Sequence, residues 1–153
     1  MLGLMQDWPL TVDKIIDHAK NWHGEREVVF ACDAEAVGVF AGAREDLEEM
    51  LGNLLDNALR YSPPGSPVTL AVRLAEHAQR SGIRIGVSNQ PGRAGRPDPD
   101  RLFDRHYRAP GASHLAGSGL GLYIARGIVQ LLGGEIVYRA EPDIIQFEVW
   151  LPC

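Results

Sequence analysis

Two asparagines, Asn53 and Asn57, lie four residues apart in a segment with helical periodicity. Residues four apart share one face of a helix, so both side-chain amides project in the same direction. Amide oxygens are suitable ligands for a hard cation such as Mg²⁺, and amide N–H groups donate to phosphate oxygens. Arg60 and Tyr61 follow one turn later and would add a phosphate partner and a flat surface for a base. Spacing alone also allows two solvated asparagines on a polar helix face.

A run of glycines, Gly117-Ser-Gly-Leu-Gly-Leu122, leads directly into a predicted helix. Glycine inside a helix costs about 0.8–1 kcal/mol relative to alanine, so this run indicates that close backbone approach is required. Unpaired N–H groups and the dipole at a helix start bind anions such as phosphate. A dinucleotide fingerprint does not fit, because residues 106–116 are not strand-like and the third glycine is misplaced. A flexible hinge is the simpler alternative.

A third segment, Arg101-Leu-Phe-Asp-Arg-His-Tyr-Arg108, repeats arginine at intervals of four and three residues. If the segment is helical, its three arginines form a positive stripe, which Phe103 and Leu102 would anchor to the core. A solvated charged turn is the alternative, because acidic residues lie nearby: Asp98, Asp100 and Asp104.

Three segments have the periodicity of amphipathic helices and would position these residues. The first covers residues 11–22. The second begins near Ala43 and ends at the Ser-Pro-Pro-Gly sequence of residues 62–65. Its apolar stripe consists of Leu47, Met50, Leu51, Leu54, Leu55 and Ala58. The third runs from about Ser118 to Leu132 and ends at two glycines.

Six short runs have β-strand character: residues 27–33, 37–41, 68–74, 83–87, 135–139 and 144–151. The last four predict two hairpins, with turns at residues 80–82 and 141–143. Residues 89–117 form a long polar loop, and loops of that length inside a compact domain are usually functional. The pattern predicts an α/β fold, a two-layer sandwich with about three helices on one face of a mixed, mostly antiparallel sheet.

Composition excludes several classes of protein. The chain has 153 residues, which fits one domain, and its net charge of −5 argues against nucleic-acid binding. No apolar run is long enough to span a membrane, so membrane contact by this segment is not expected. Two cysteines favour a reduced, cytoplasmic setting. Only Lys14 and Lys20 are lysines, which excludes the P-loop class.

In their order and spacing, these segments closely resemble the ATP-binding catalytic domain of bacterial sensor histidine kinases. That domain belongs to a superfamily shared with DNA gyrase, the heat-shock chaperone of ninety kilodaltons and the mismatch-repair ATPases. The resemblance covers roughly residues 37–151. Residues 53–62, 101–108 and 117–122 look like the asparagine box, the phenylalanine box and the second glycine box. The resemblance implies a catalytic domain over residues 37–153, preceded by a leading helix and strand in residues 1–36.

The resemblance also implies roles for single residues. Asn57 would ligate Mg²⁺ between the phosphates of ATP, supported by Asn53. Arg60 would approach the phosphates, Tyr61 would pack beside the adenine, and Arg105 would reach toward the γ-phosphate. Residues 109–117 would form a mobile lid over the nucleotide. The implied ATP-binding set is Asn53, Asn57, Arg60, Tyr61, Asn89, Gly92, Arg105, Tyr107, Gly117, Ser118, Gly119, Leu120, Gly121 and Leu122, with Asn53, Asn57 and Arg105 as its catalytic members.

The first glycine box departs from the family pattern Asp-X-Gly-X-Gly. Asn89 stands at the aspartate position. Its neutral oxygen would accept a hydrogen bond from the adenine amino group, but a weaker one than a carboxylate would accept. Pro91 occupies a glycine position, and residues 143–146 replace the Gly-Thr pair that often precedes the last strand. These departures predict weak but real ATP binding.

The resemblance implies an enzyme that transfers phosphate to a protein histidine. The superfamily's hydrolases carry a glutamate where Asn53 stands, and without it water lacks a general base. None of the five histidines fits the phosphoacceptor pattern, so the acceptor would lie on a separate dimerisation domain that in turn serves a response regulator. Two alternatives are a degenerate module that binds a protein partner and an anti-sigma-factor serine kinase.

Residues 1–29 look instead like the start of a fatty acyl-CoA ligase. A fusion would explain this opening, and an ordinary leading helix and strand is the alternative. The catalytic motifs of a ligase have no counterpart later in the chain, so the opening does not support ligase activity.

Overall fold

A computed structural model of the chain describes residues 27–32, 44–115 and 117–153. The predicted helix over residues 11–22 and the predicted strand over residues 37–41 lie outside the described residues. Most of the ligase-like opening lies outside them as well. The division of the chain at residue 36 stays a prediction.

Five described strands form one sheet: β1 (Val28–Cys32), β2 (Val68–His77), β3 (Arg80–Asn89), β4 (Glu135–Ala140) and β5 (Ile145–Pro152). Their spatial order is β1-β2-β3-β5-β4. The first pair, β1 and β2, is parallel, and each of the other neighbouring pairs is antiparallel. The prediction of a mixed, mostly antiparallel sheet is confirmed.

Two α-helices lie within the described residues: α1 (Arg44–Tyr61) and α2 (Gly121–Leu131). Glu45 and Asp46 lie in the first turn of α1, where they stabilise the positive end of the helix. The start of α2 is three residues later than predicted, because positive φ angles at Gly117 and Gly119 keep that stretch out of the helix. No helix in the described part of the chain is long and apolar enough to cross a membrane.

The core lies between the helices and one face of the sheet. The whole predicted stripe of α1, from Leu47 to Ala58, is buried. Alternate residues of the central strands are buried on the same side, among them Ile83, Ile85, Val87, Phe147, Val149 and Leu151. Since strand side chains alternate between faces, this pattern assigns one face of the sheet to the helices. The predicted two-layer sandwich is therefore the observed fold.

The turn between β2 and β3 differs from the prediction. It consists of Ala78 and Gln79, with φ angles of 50° and 63°, and His77 pairs with Arg80 across it. The predicted turn residue Gly82 lies within β3, where a Cβ atom would come within 2.3 Å of the Leu151 carbonyl oxygen. The prediction was wrong because this glycine permits close approach of β5 rather than a turn.

The other face of the sheet carries a group of charged side chains. Glu148 of β5 lies 3.3 Å from Arg84 and 3.6 Å from Arg139, both on neighbouring strands. Its side chain is only 15% exposed, so these ion pairs compensate for the loss of solvent around the carboxylate.

Gly82→Ala should lower the free energy of unfolding by about 1–3 kcal/mol, because the added methyl group overlaps the β5 backbone. Gly127→Ala is the matched control, since Gly127 lies inside α2 with nothing within 4 Å of an added Cβ. That control should raise stability by about 0.5–1 kcal/mol through helix propensity. Urea unfolding measures both changes. A Gly82→Ala variant as stable as the parent would contradict the packing described for β3 and β5.

Candidate nucleotide-binding site

A cavity of about 300 Å³ opens between the polar face of α1 and the start of α2. Residues from α1, the 89–97 segment, the 102–109 segment, the glycine run and β5 form its walls. They are Asn53, Asp56, Asn57, Arg60, Tyr61, Asn89, Gly95, Pro97, Leu102, Tyr107, Arg108, Ala109, Gly117, Ser118, Gly119, Gly121, Leu122, Ile145 and Phe147.

The α1 wall follows directly from helix geometry. Asn53, Asp56, Asn57 and Arg60 are spaced three and four residues apart, so they share the face opposite the buried stripe. Both asparagines are partly buried, and Arg60 is exposed at the rim. Asp56 was not among the predicted residues, although the same spacing would have found it.

The start of α2 forms the facing wall. A Cβ atom on Gly121 would lie 3.6 Å from Oδ1 of Asn53, which shows how closely the two helices approach here. The first backbone hydrogen bond of α2 runs from Ile124 N–H to the Leu120 carbonyl, and no side chain caps the helix. The N–H groups of Gly121 and Leu122 therefore have no partner inside the helix and can bind an anion.

Residues 101–106 form turns and a bend, and residues 107–108 are irregular, so the segment is not a helix. The condition for a positive stripe is therefore not met, and the arginines point to different surroundings. Arg101 lies 5.2 Å above the ring of Tyr107, whereas Arg105 is exposed and does not line the cavity. Arg108 lines the cavity, although it was not among the predicted residues.

The apolar anchors of this segment lie as expected. Leu102 is buried in the core, and Phe103 contacts the ring of Phe147 edge-on at 6.1 Å between centroids. Behind Phe147 lies Tyr138, at 5.4 Å between ring centroids. Burial raises the pKa of the Tyr138 phenol, and the positive charge of Arg96 offsets part of this effect. The phenol therefore stays neutral at physiological pH.

Asn89, at the end of β3, pairs with Ile145 of β5, and this cavity residue is only 4% exposed. Its Nδ2 atom donates to the Gln90 carbonyl at 2.8 Å, which fixes the orientation of the amide plane. Pro97, Leu102, Ile145 and Phe147 provide apolar wall for a flat ring. The cavity wall thus combines one oriented amide with apolar side chains.

Gly92 lies behind the wall rather than on it. Its N–H donates to the Tyr61 carbonyl at 2.9 Å, which joins the loop after β3 to the end of α1. A Cβ atom at this position would lie 2.4 Å from the same carbonyl oxygen. Gly92 therefore positions Tyr61, which is one of the cavity residues.

The lid segment is defined here as residues 109–117, and its residues 109–115 pack against that loop. Ala112 is fully buried in a small cluster with Ala94 and Ala109, which Tyr61 and Leu115 flank. Arg108 donates from Nη2 to the carbonyls of Ala112, at 2.8 Å, and Leu115. One cavity arginine thus also holds the described part of the lid segment in its folded form.

The residues of the cavity wall suit a magnesium ion that is bound jointly by the protein and by phosphate. Among the described residues, no group of three or more His, Cys, Asp or Glu side chains could hold a metal by itself. Mg²⁺ commonly takes one or two protein ligands and completes its octahedron with phosphate oxygens and water. The Asn57 side-chain oxygen fits that donor set.

The structure brings most of the predicted residues to one cavity. Gly92, Arg105 and Leu120 lie off its wall. The sequence analysis missed Asp56, Gly95, Pro97, Leu102, Arg108, Ala109, Ile145 and Phe147 as wall residues. Ile145 and Phe147 carry a signal only as buried strand positions, because alternation does not show which buried residue borders a cavity.

Comparison with known proteins agrees with the fold. Residues 42–153 match the family described as histidine kinase-, DNA gyrase B-, and HSP90-like ATPase. The swarming motility regulation sensor protein RssA of Serratia marcescens is 33% identical over 141 residues, which cover 86% of this chain and 29% of RssA. The sensor protein kinase PmrB of Pseudomonas aeruginosa is 43% identical over 108 residues, covering 69% of this chain and 22% of PmrB.

A solved structure gives the same result for the fold. The mycobacterial sensor histidine kinase MprB superimposes with a TM-score of 0.76 at 23% identity, covering 94% of this chain and 93% of that structure. The chain therefore belongs to the family of histidine kinase-, DNA gyrase B- and HSP90-like ATPases, as an ATP-binding catalytic domain of the histidine kinase type. It spans less than a third of the length of both curated relatives.

Asn89→Asp should destabilise the fold at pH 7 by about 1–3 kcal/mol. The substitution places a carboxylate oxygen against the Gln90 carbonyl, where Nδ2 now donates. Gln90→Glu adds the same charge at the neighbouring exposed position and should change stability little. Thermal and urea unfolding compare the two variants. Equal stability of Asn89→Asp and the parent would show that the Asn89–Gln90 hydrogen bond is not formed.

Proposed function

We propose that this chain binds Mg-ATP in the described cavity and donates the γ-phosphoryl group to a histidine on a separate dimerisation domain. The observation that carries the proposal is the convergence of the Asn53 and Asn57 amides with the unpaired N–H groups at the start of α2. The similar proteins RssA and PmrB are named as sensor proteins, and PmrB as a kinase, which supports phosphoryl transfer as the reaction class.

The phosphate end of the cavity would lie between the two helices. Gly121 and Leu122 offer backbone N–H donors at a helix start, where the dipole also favours negative charge. A Cβ atom on Gly117 would lie 2.7 Å from Nη1 of Arg60, so this guanidinium lies beside the glycine run. Donors from both walls can therefore contact one phosphate chain.

The adenine would lie at the other end. Nδ2 of Asn89 is occupied by the Gln90 carbonyl, which leaves Oδ1 as the acceptor for an exocyclic amino group. Apolar side chains including Ile145 and Phe147 border this end, and Tyr61 adds an aromatic surface. We assign the purine to this end because it pairs an acceptor with an apolar lining.

Phosphoryl transfer needs positioning and charge neutralisation more than covalent chemistry from the protein. Mg²⁺, ligated by Asn57 with support from Asn53, would neutralise phosphate charge. The bond from the γ-phosphorus to the bridging oxygen breaks, ADP leaves with the electron pair, and a bond to the acceptor imidazole nitrogen forms. The imidazole N–H proton goes to solvent.

An amide at position 53 favours transfer over hydrolysis. An asparagine side chain does not take up a proton at neutral pH, so it cannot activate water as a glutamate would. The acceptor histidine, its dimerisation domain and a downstream response regulator are the partners that we propose. Because the donor is ATP, we place the domain in the cytoplasm.

Two arginines of the 101–108 segment, Arg105 and Arg108, have different proposed roles. Arg108 lines the cavity and holds the lid segment, so it would act in nucleotide binding. Arg105 is exposed and off the wall, so it would reach the γ-phosphate only when the acceptor domain is docked.

A transfer assay tests the function directly. The chain is mixed with a purified histidine dimerisation domain from a sensor kinase and with γ-labelled ATP, and the labelled protein is exposed to acid and to base. Phosphohistidine is lost in acid and survives base, whereas phosphoserine behaves in the opposite way. Acid-labile label on the acceptor supports the proposal. Acid-stable label identifies a serine kinase, and ATP binding without any label transfer to a panel of acceptors contradicts the proposed transfer.

Asn57→Ala should weaken Mg-ATP binding by about 10–100-fold, because it removes the protein ligand of the metal. Isothermal titration calorimetry with and without EDTA measures the effect. In the parent, EDTA should lower the affinity for ATP, whereas the variant should show little further loss. Glu49→Ala is the control, since Glu49 is exposed on the same helix and does not line the cavity. An unchanged affinity and metal dependence in Asn57→Ala would exclude this residue as the ligand.

Separate substitutions of Arg105 and Arg108 should distinguish an effect on ATP binding from an effect on phosphoryl transfer. Arg108→Ala should raise the dissociation constant for ATP about tenfold through the lost cavity donor and the loosened lid segment. Arg105→Ala should leave that constant nearly unchanged and lower the transfer rate about 100-fold or more. Calorimetry and the transfer assay give the two readouts. If Arg105→Ala impairs ATP binding as much as Arg108→Ala, the division of roles is wrong.

A further inference from the structure

His106 has a left-handed backbone conformation, with a φ angle of 62°. Residues other than glycine rarely adopt this region, and asparagine, aspartate and histidine do so more readily than most. His106 is exposed, so burial of its ring does not explain the conformation. A specific contact of the His106 side chain explains the left-handed conformation better than burial does.

That contact links His106 to the glycine run. Nδ1 of His106 lies 3.1 Å from the carbonyl oxygen of Ser118, twelve residues later in the chain. A carbonyl oxygen can only accept, so Nδ1 carries the proton and donates. The hydrogen bond therefore connects the end of the 101–108 segment to the loop that leads into α2.

The backbones of the two segments are in direct contact at the same place. A Cβ atom on Gly119 would lie 2.7 Å from the carbonyl carbon of His106 and 2.8 Å from the carbonyl oxygen of Tyr107. Gly119 itself has a φ angle of 72°. The residues that flank the lid segment thus meet at a closed base, and both flanks contribute residues to the cavity wall.

The hydrogen bond also fixes one peptide plane. The described backbone contains no cis peptide bond, so the Ser118 carbonyl and the Gly119 N–H point in opposite directions. With the carbonyl held by His106, the Gly119 N–H points away from His106. A flipped plane would replace this donor by a carbonyl oxygen, which repels phosphate. Glycine permits such a flip easily, because both signs of φ are open to it.

We propose that His106 is a positioning residue that orients the Ser118–Gly119 peptide so that its N–H can donate to a phosphate of the bound nucleotide. His106 does not line the cavity, so it acts through Ser118 rather than on the nucleotide. This inference rests on the proposed function, namely that the cavity binds Mg-ATP with its phosphates at the start of α2.

Three substitutions separate the backbone requirement from the hydrogen bond. His106→Asn keeps a donor at a similar position and tolerates the left-handed conformation, so it should bind Mg-ATP within about threefold of the parent. His106→Gly keeps only the conformational freedom and should bind about tenfold more weakly, the effect of one hydrogen bond to a charged group. His106→Ala lacks both properties and should bind at least as weakly as His106→Gly.

Adenosine, which has no phosphate, provides the readout that a merely structural role would not give. Calorimetry should show the same adenosine affinity in the parent and all variants, while the affinity for Mg-ATP changes as described. Equal losses of affinity for both ligands would overturn this inference and leave the proposed function standing. A His106→Gly variant that binds Mg-ATP like the parent would do the same. A parent chain that binds adenosine but gains nothing from the phosphates would overturn it too. If the parent binds neither ligand, the proposed function fails and this inference fails with it.

The amide signal of Gly119 gives a second measurement on the folded variants. In nitrogen–proton correlation spectra with Mg-ATP bound, this signal should shift on binding in the parent and in His106→Asn. In His106→Gly the shift should be reduced, and thermal unfolding confirms that this variant is folded. An identical shift in all variants would contradict the role assigned to His106.

Discussion

The close approach of α1 to the start of α2 is the constraint on which the site depends. At their nearest point, a Cβ atom on Gly121 would lie 3.6 Å from Oδ1 of Asn53, so a long side chain there would fill the space between the helices. Burial of the α1 apolar stripe against the sheet turns the opposite, polar face toward α2. The same packing that stabilises the domain thus brings amide oxygens and unpaired backbone donors to one cavity.

The sequence predicted those parts of the site that local periodicity controls. A helix that buries Leu47 through Ala58 must present Asn53 and Asn57 together, and both line the cavity. Patterns that have two physical causes were less informative. Gly82 served close strand packing rather than a turn, and the arginine spacing in residues 101–108 belongs to turns and irregular backbone rather than a helix.

The long loop after β3 could not be predicted in detail, because its contacts join residues that are far apart in sequence. The Gly92 N–H bonds to the Tyr61 carbonyl, and Ala112 is buried against Ala94. Neither contact leaves a repeating signal in the sequence. Arg108 was missed for the same reason, since only the fold shows that it faces both the cavity and the lid segment.

Paramagnetic relaxation by Mn²⁺ bound together with ATP tests the central claim most directly. The account predicts that the backbone amides of Gly119 and Gly121 and the side-chain amides of Asn53 and Asn57 are broadened together. Amides near Gly82, at the far end of β3, should keep their intensity, and Mn²⁺ without ATP should reproduce little of the effect. Broadening that omits either the asparagines or the glycine run would show that the two walls do not share one metal–triphosphate complex, and it would contradict the account.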